Sequence, residues 1–156
     1  MSLKDLWTGV GIILTTIDGK ILMQLREYNP KILFPGQWCV FTGRVEKEDW
    51  GGGTLQSLER AVRREIGEEL IVKTDNGPVP FSPDKISLFY YKPYLFPGKR
   101  ETSHQFTFTG EIYAPLESLE LKEGKELGVF GIEDMGRLKI ADSYSDVINL
   151  YLRLNC

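Results

Sequence analysis

The sequence predicts a mixed α/β (α+β) domain, and three observations carry that reading. Segments rich in β-branched and aromatic residues, bounded by turn signals, lie on both sides of the chain's middle. Between them Leu55, Leu58, Val62 and Ile66 recur at helical spacing, the stripe of an amphipathic helix. A second helix is expected at the end, capped by Asp142 or Ser143 and packing through Val147, Leu150, Tyr151 and Leu154. Strands, one central helix, more strands and a terminal helix give the order of a mixed sheet covered by helices. One domain spanning 1–156 is expected.

The elements follow in order. Trp7–Ile17 reads as a strand, Asp18-Gly19 as a hairpin turn, and Ile21–Arg26 as the returning strand. Tyr28-Asn29-Pro30 and Phe34-Pro35-Gly36 punctuate a loop, and Trp38–Phe41 is a short strand leading to Gly43. Thr54, after three glycines, is the expected N-cap of the central helix. Lys47, Glu48 and Asp49 read as solvated charges in the loop before it. Ile71–Lys73 is a short strand, Asp75-Asn76-Gly77-Pro78 a turn, and Ile86–Leu95 a long aromatic strand. Its aromatics Phe89, Tyr90, Tyr91 and Tyr94 are expected in the core. A basic loop, Pro97–Arg100, joins it to His104–Tyr113, and the two strands should pair antiparallel. His104, the only histidine, reads as a satisfied polar residue. Leu119–Phe130 carries Glu120, Glu123 and Glu126 in a charged loop before a short strand, and Ile132–Met135 is a helical turn.

Composition narrows the function classes. A chain of 156 residues can bury a sizeable core. A net charge of −3 argues against a nucleic-acid polymer or a membrane surface as the general partner. No apolar run approaches the roughly 20 residues of a membrane span, and the N-terminus lacks a signal-peptide layout. Cys39 and Cys156 belong to no paired motif, and one histidine cannot complete a zinc site with them. Both are expected as free thiols in a reducing, cytoplasmic setting.

The most informative residues sit at the end of the central helix. Glu65, Glu68 and Glu69 are spaced i, i+3, i+4, so they span an arc of roughly 100° and can converge on one point. Glu69 points within roughly 30° of the middle of the apolar stripe. A carboxylate aimed at the buried side is costly unless something positive compensates it, and three clustered carboxylates repel one another. A hard divalent cation removes both penalties. Arg64 precedes Glu68 by four residues and can pair with it.

Arg64-Glu65-Ile66-Gly67-Glu68-Glu69, with Val72 after it, resembles the second half of the Nudix box, G-x5-E-x7-R-E-U-x-E-E-x-G-U with U aliphatic. The approach Phe34-Pro35-Gly36-Gln37-Trp38 through Thr42-Gly43-Arg44-Val45-Glu46 is similar to the run that precedes that box. This chain departs from the pattern in four ways. The stretch from Gly43 to Arg64 is seven residues longer than the motif allows, Gln56 stands at the first Glu position, Ile71 at the last Gly, and Thr42 replaces the Gly before Gly43.

The resemblance implies an α/β/α sandwich around a curved mixed sheet. It also implies a hydrolase of the pyrophosphate linkage in a nucleoside diphosphate derivative, dependent on Mg²⁺ or Mn²⁺. Glu65, Glu68 and Glu69 would hold the metal, joined by the main-chain carbonyl of Thr42. Glu65 or a loop carboxylate would take a proton, and Arg64 would orient the cluster. Glu123 and Glu126 are both candidates for that loop carboxylate; spacing does not choose, and Glu126 is carried forward. Arg26 and Arg44 are the expected substrate contacts, with Lys99 and Arg100 near outer phosphates. The alternative is a catalytically weak Nudix-fold module that binds a nucleotide. A third reading, isopentenyl-diphosphate isomerase chemistry on a related fold, would call on Cys39. Substrate identity and oligomeric state stay open, a homodimer included.

Overall fold

The computed structural model describes residues 2–155, without the Lys4 side chain. The expected free thiol at Cys156 lies outside the described residues. Strand β1 (Thr8–Thr15) is buried along its whole length, as befits a central strand covered on both faces. It pairs antiparallel with β2 (Ile21–Leu25) and β4 (Phe41–Arg44), and parallel with β8 (Ser103–Glu111). Strand β3 (Trp38–Cys39) pairs with β2. β7 (Ile86–Tyr94) lies against β8 at one edge, and β10 (Glu126–Phe130) against β2 at the other. The seven strands thus form one mixed sheet in the order β10-β2-β1-β8-β7, with β3 and β4 beside β2 and β1. A smaller antiparallel sheet joins β5 (Leu70–Thr74), β6 (Gly77–Pro80) and β9 (Leu119–Leu121).

Alternation along β1 sorts the core into two layers. Val10, Ile12 and Leu14 pack with Leu58, Ala61, Val62 and Ile66 of helix α1 (Thr54–Glu69). Ile13 faces the other way, toward Tyr144, Val147, Ile148 and Leu152 of helix α2 (Asp142–Leu154). Each fully buried aliphatic side chain at these layers contributes about 1.5–3 kcal/mol relative to exposure. Helices on both faces of a mixed sheet give the expected α/β/α arrangement.

Several local expectations are corrected. Gly53, not Thr54, is the N-cap of α1, and Leu55, in the first helical turn, is 49 % exposed rather than part of the buried stripe. The buried face of α2 is rotated by about one residue, so Leu154 points to solvent while Ile148 and Leu152 are buried. Strand β1 stops at Thr15, leaving Ile17 exposed in the turn. Thr74 and Gly77 close a two-residue hairpin, so Gly77–Pro80 is a strand rather than part of a turn. Part of the charged loop at Leu119–Leu121 is also a strand, pairing with β5. Tyr90 and Tyr91, on opposite faces of the sheet, are both exposed because β7 is its edge strand. His104 stacks on Tyr91, and its Nδ1 is 2.6 Å from the Tyr91 hydroxyl, a satisfied polar residue as expected.

Candidate active site

Helix α1 runs into β5 with no intervening loop, so its last turn is fixed at both ends. Arg64, Glu65, Glu68 and Glu69 all come from that region. Arg64 is the hub. Its Nε and one terminal nitrogen donate to the two carboxylate oxygens of Asp49, at 3.0 and 2.7 Å. Its other terminal nitrogen donates to Glu65 Oε1 at 2.9 Å and lies 3.4 Å from Glu68. The Arg44 main-chain carbonyl accepts a further hydrogen bond at 2.9 Å. The planar fork of the guanidinium suits this paired geometry, which a lysine could not reproduce.

Asp49 overturns the expectation of a solvated charge. It is 3 % exposed, and its carboxylate also accepts the Glu46 amide at 2.8 Å. Burial would raise its pKa, but the hydrogen bonds from Arg64 and Glu46 outweigh it and hold the carboxyl below its ordinary range. The lengthened loop before α1 therefore folds back to brace the arginine. Ser57 fixes the same loop, donating to the Gly53 carbonyl at 2.7 Å and accepting the Gly51 amide at 3.0 Å.

The three glutamates are not equivalent. Glu68 has an exposed side chain, while that of Glu65 is only 15 % exposed. Burial pushes the Glu65 pKa up, despite the hydrogen bond from Arg64. Glu65 abuts Gly43 on β4, where an added Cβ would overlap the Glu65 carboxyl carbon. Only glycine leaves that carboxylate its place. Glu69 points inward as expected, and burial pushes its pKa from 4.5 to about 8; the Gln24 amide, which donates to it at 2.9 Å, opposes that shift, and the Glu65 charge adds to it.

Two hollows adjoin this cluster. One is lined by Gln24, Arg26, Glu69 and Glu123. Of the two loop carboxylates, the structure thus brings Glu123 rather than Glu126 to Glu69. Glu126 is exposed at the start of β10, opposite Leu25. The Glu123 loop is tied to the helix end, because the Lys122 amide donates to the Glu69 carbonyl at 2.9 Å. The second hollow, about 140 Å³, lies beside Thr42, Gly43 and Arg44 and shares Arg26 with the first. Arg26 is half-buried, its Nε donating to the Leu33 carbonyl at 2.7 Å. Arg44 is exposed, with its guanidinium over the Trp7 ring. Lys99 lies over the same ring, and Lys99 and Arg100 line a further basic hollow with Arg44.

Among the described residues no three His, Cys, Asp or Glu side chains stand in a ready-made metal cage. The donor set nonetheless fits a hard divalent cation. Two carboxylates are held inward with pKa values raised by burial, and a positive charge among them would reverse that penalty. Glu68 stands on the same helical turn, with its side chain exposed. Cys39, by contrast, is buried and its thiol is pushed up to about 12, so it offers almost no thiolate at neutral pH.

Sequence reasoning does not reach Asp49, Gln24 or the room that Gly43 leaves for Glu65. Asp49 and Gln24 are ordinary polar residues in the linear sequence, and only the fold brings them to the helix end. No helix among the described residues is long and apolar enough to cross a membrane.

Solved structures share this architecture. The MutT protein of Methanosarcina mazei Go1 superposes with a TM-score of 0.67 at 18 % identity, covering 96 % of this chain and 94 % of that one. The NUDIX domain of Shewanella oneidensis NrtR, complexed with ADP ribose, matches with a TM-score of 0.69 at 15 % identity, covering 96 % and 88 %. A MutT NUDIX hydrolase from Burkholderia pseudomallei gives 0.63 at 22 % identity, covering 94 % and 96 %. At these identities the likeness is one of fold. No curated protein matches the sequence significantly. The family model described as the NUDIX domain matches residues 5–151, nearly the whole chain. With the acidic helix end, its arginine hub and the mixed sheet between two helices, this chain belongs to the NUDIX domain family.

Proposed function

We propose that this protein is a metal-dependent hydrolase that cleaves the pyrophosphate linkage of a nucleoside diphosphate derivative. The observation that carries the proposal is the pair of inward carboxylates on one helical turn: Glu65, held by Arg64, and Glu69, which lines a hollow together with Arg26. Such an arrangement is expensive in an idle protein and useful beside a polyphosphate.

The side chains divide the work. Glu65, Glu68 and Glu69, with the Thr42 carbonyl, would hold Mg²⁺ or Mn²⁺. A divalent ion bound there supplies neutralisation of phosphate charge and a more acidic bound water. Glu65 is the proposed proton acceptor, since burial already raises its basicity. Glu123 is a second acceptor, in place of the expected Glu126. Arg64 is a positioning residue: it fixes Glu65 and is itself fixed by Asp49. Arg26 lines both hollows and would meet the substrate phosphates, with Arg44 further out. The partner is a small nucleotide derivative rather than a nucleic-acid polymer, in keeping with the net negative charge.

The test is a screen of phosphate release over nucleoside triphosphates, dinucleoside polyphosphates and nucleotide sugars, with Mg²⁺, Mn²⁺ or EDTA. Turnover with either metal, abolished by EDTA and by Glu69→Gln in a folded variant, is the expected result. Nucleotide binding with no product from any compound would instead make the protein a non-hydrolytic binding module. Full turnover by Glu69→Gln at saturating Mg²⁺ would remove Glu69 from the metal set.

A further inference from the structure

The hollow beside Gly43 has a built polar floor that metal chemistry does not require. Gln105 of β8 is 5 % exposed and lines it. Its amide nitrogen donates to the Ser103 hydroxyl, and its carbonyl oxygen accepts from the Tyr144 hydroxyl at 3.4 Å. Both partners are hydroxyls, and together they hold the amide at the floor of the hollow. A carboxamide has two N–H donors and two acceptor sites, so one of each is left over.

The floor depends on two glycines in the central strand. A Cβ at Gly9 would lie 2.6 Å from both polar atoms of the Gln105 amide, and one at Gly11 would overlap the Tyr144 hydroxyl. Glycine inside a strand costs stability and marks a place where something must come close. Here the two clear one face of β1 for Gln105 and Tyr144.

The walls are aromatic. Trp7 and Phe96 lie with ring centroids 5.2 Å apart, and Phe34 lies 6.3 Å from Phe96. The volume, about 140 Å³, is near that of the roughly 150 Å³ apolar cavity known to admit a benzene ring. Aromatic walls, one planar ring's worth of space and a carboxamide at the floor form a receptor for a flat heterocycle with an acceptor beside a donor on its edge. Nucleobases present that edge, and stacking on aromatic side chains adds affinity. Arg26 joins this hollow to the carboxylate hollow. A base seated here would therefore have its phosphates directed toward Glu65 and Glu69.

We infer that Gln105 reads the base of the substrate, with Trp7 and Phe96 stacking on it. This inference deepens the hydrolase reading and rests on it for the orientation of the phosphates.

The test measures dissociation constants of ADP, GDP, CDP and UDP in EDTA for the parent, Gln105→Leu and Gln105→Glu, with inorganic pyrophosphate as the base-free probe. Circular dichroism and melting temperature establish that each variant is folded. The parent should prefer its best base over its worst by roughly tenfold or more, the worth of one buried hydrogen bond. Gln105→Leu should collapse that preference, and Gln105→Glu, which replaces a donor with an acceptor in the same shape, should reorder it. Pyrophosphate should bind all three alike. Folded variants that keep the parent's ranking and affinities would overturn the inference, as would a parent that binds all four diphosphates equally. Base discrimination in a protein that hydrolyses nothing would sink the hydrolase reading and leave this inference standing. Hydrolysis with base preference indifferent to Gln105 would do the reverse.

Discussion

Replacing Glu69 by glutamine should make the metal-free protein more resistant to heat, and increasingly so as pH rises. In the native state burial moves the Glu69 carboxyl from 4.5 to about 8. The unfolded chain releases this proton near 4.5, while the native state keeps it until about 8. Between those values the native state binds more protons than the unfolded one, so stability falls as pH rises, by about 1.4 kcal/mol per pH unit. Below that window both states are protonated, and above it both are ionised, so the slope vanishes on either side. From pH 6 to pH 8 the loss is about 2 kcal/mol, or roughly 4–8 °C in melting temperature for a domain of this size. The variant's carboxamide has no proton to release at these pH values and can still meet the Gln24 amide. In EDTA, calorimetric melts of parent and variant at the two pH values should diverge by that amount. Parallel pH dependence would show that Glu69 does not bear the cost assigned to it. Saturating Mg²⁺ should flatten the parent's slope, because bound metal favours the ionised form, and should leave the variant nearly unmoved.

Four other outcomes follow from the same geometry. Asp49→Ala should cost about 1–3 kcal/mol by leaving Arg64 without its paired acceptor; it should also depress kcat more than it raises KM, read by melts and steady-state kinetics together. Gly43→Ala should fold yet lose most turnover, since the added methyl takes the space of the Glu65 carboxylate; unchanged kcat would show that Glu65 tolerates displacement. Glu123→Gln should slow hydrolysis more than Glu126→Gln does, and equal rates in the two would leave the loop out of the chemistry. Cys39 should resist iodoacetamide in the native state and react on unfolding, followed by mass spectrometry of the peptide that carries it; its burial and raised pKa both predict this.

How much is legible in the sequence depends on how local each feature is. The acidic triplet belongs to one helical turn, so spacing alone places Glu65, Glu68 and Glu69 on one face and aims Glu69 inward. The architecture follows from the order of periodic segments. Asp49 reads wrongly as a solvated charge because its partner lies fifteen residues on in the chain, and their meeting depends on how the intervening loop folds. Spacing does not separate Glu123 from Glu126 because they sit on either side of a turn into β10. Helix α2 is apolar on more than one stripe, and docking against Ile13 and Met23, not the pattern, selects Ile148 and Leu152 over Leu154. The aromatics of β7 read as core because strand composition does not say which strand ends the sheet. Gln105 carries no sequence signal at all; only the glycines opposite it, seen in three dimensions, do.

The hydrogen bond from the Lys122 amide to the Glu69 carbonyl has a mechanical consequence. It links the segment bearing Glu123 to the final turn of α1, so displacing one against the other costs that bond, about 1 kcal/mol. A ligand that draws Glu123 inward must tug on the helix end, and whatever grips Glu69 must steady the segment in turn. The two acidic groups are thus joined as one jaw through a main-chain bond that side-chain replacement leaves in place.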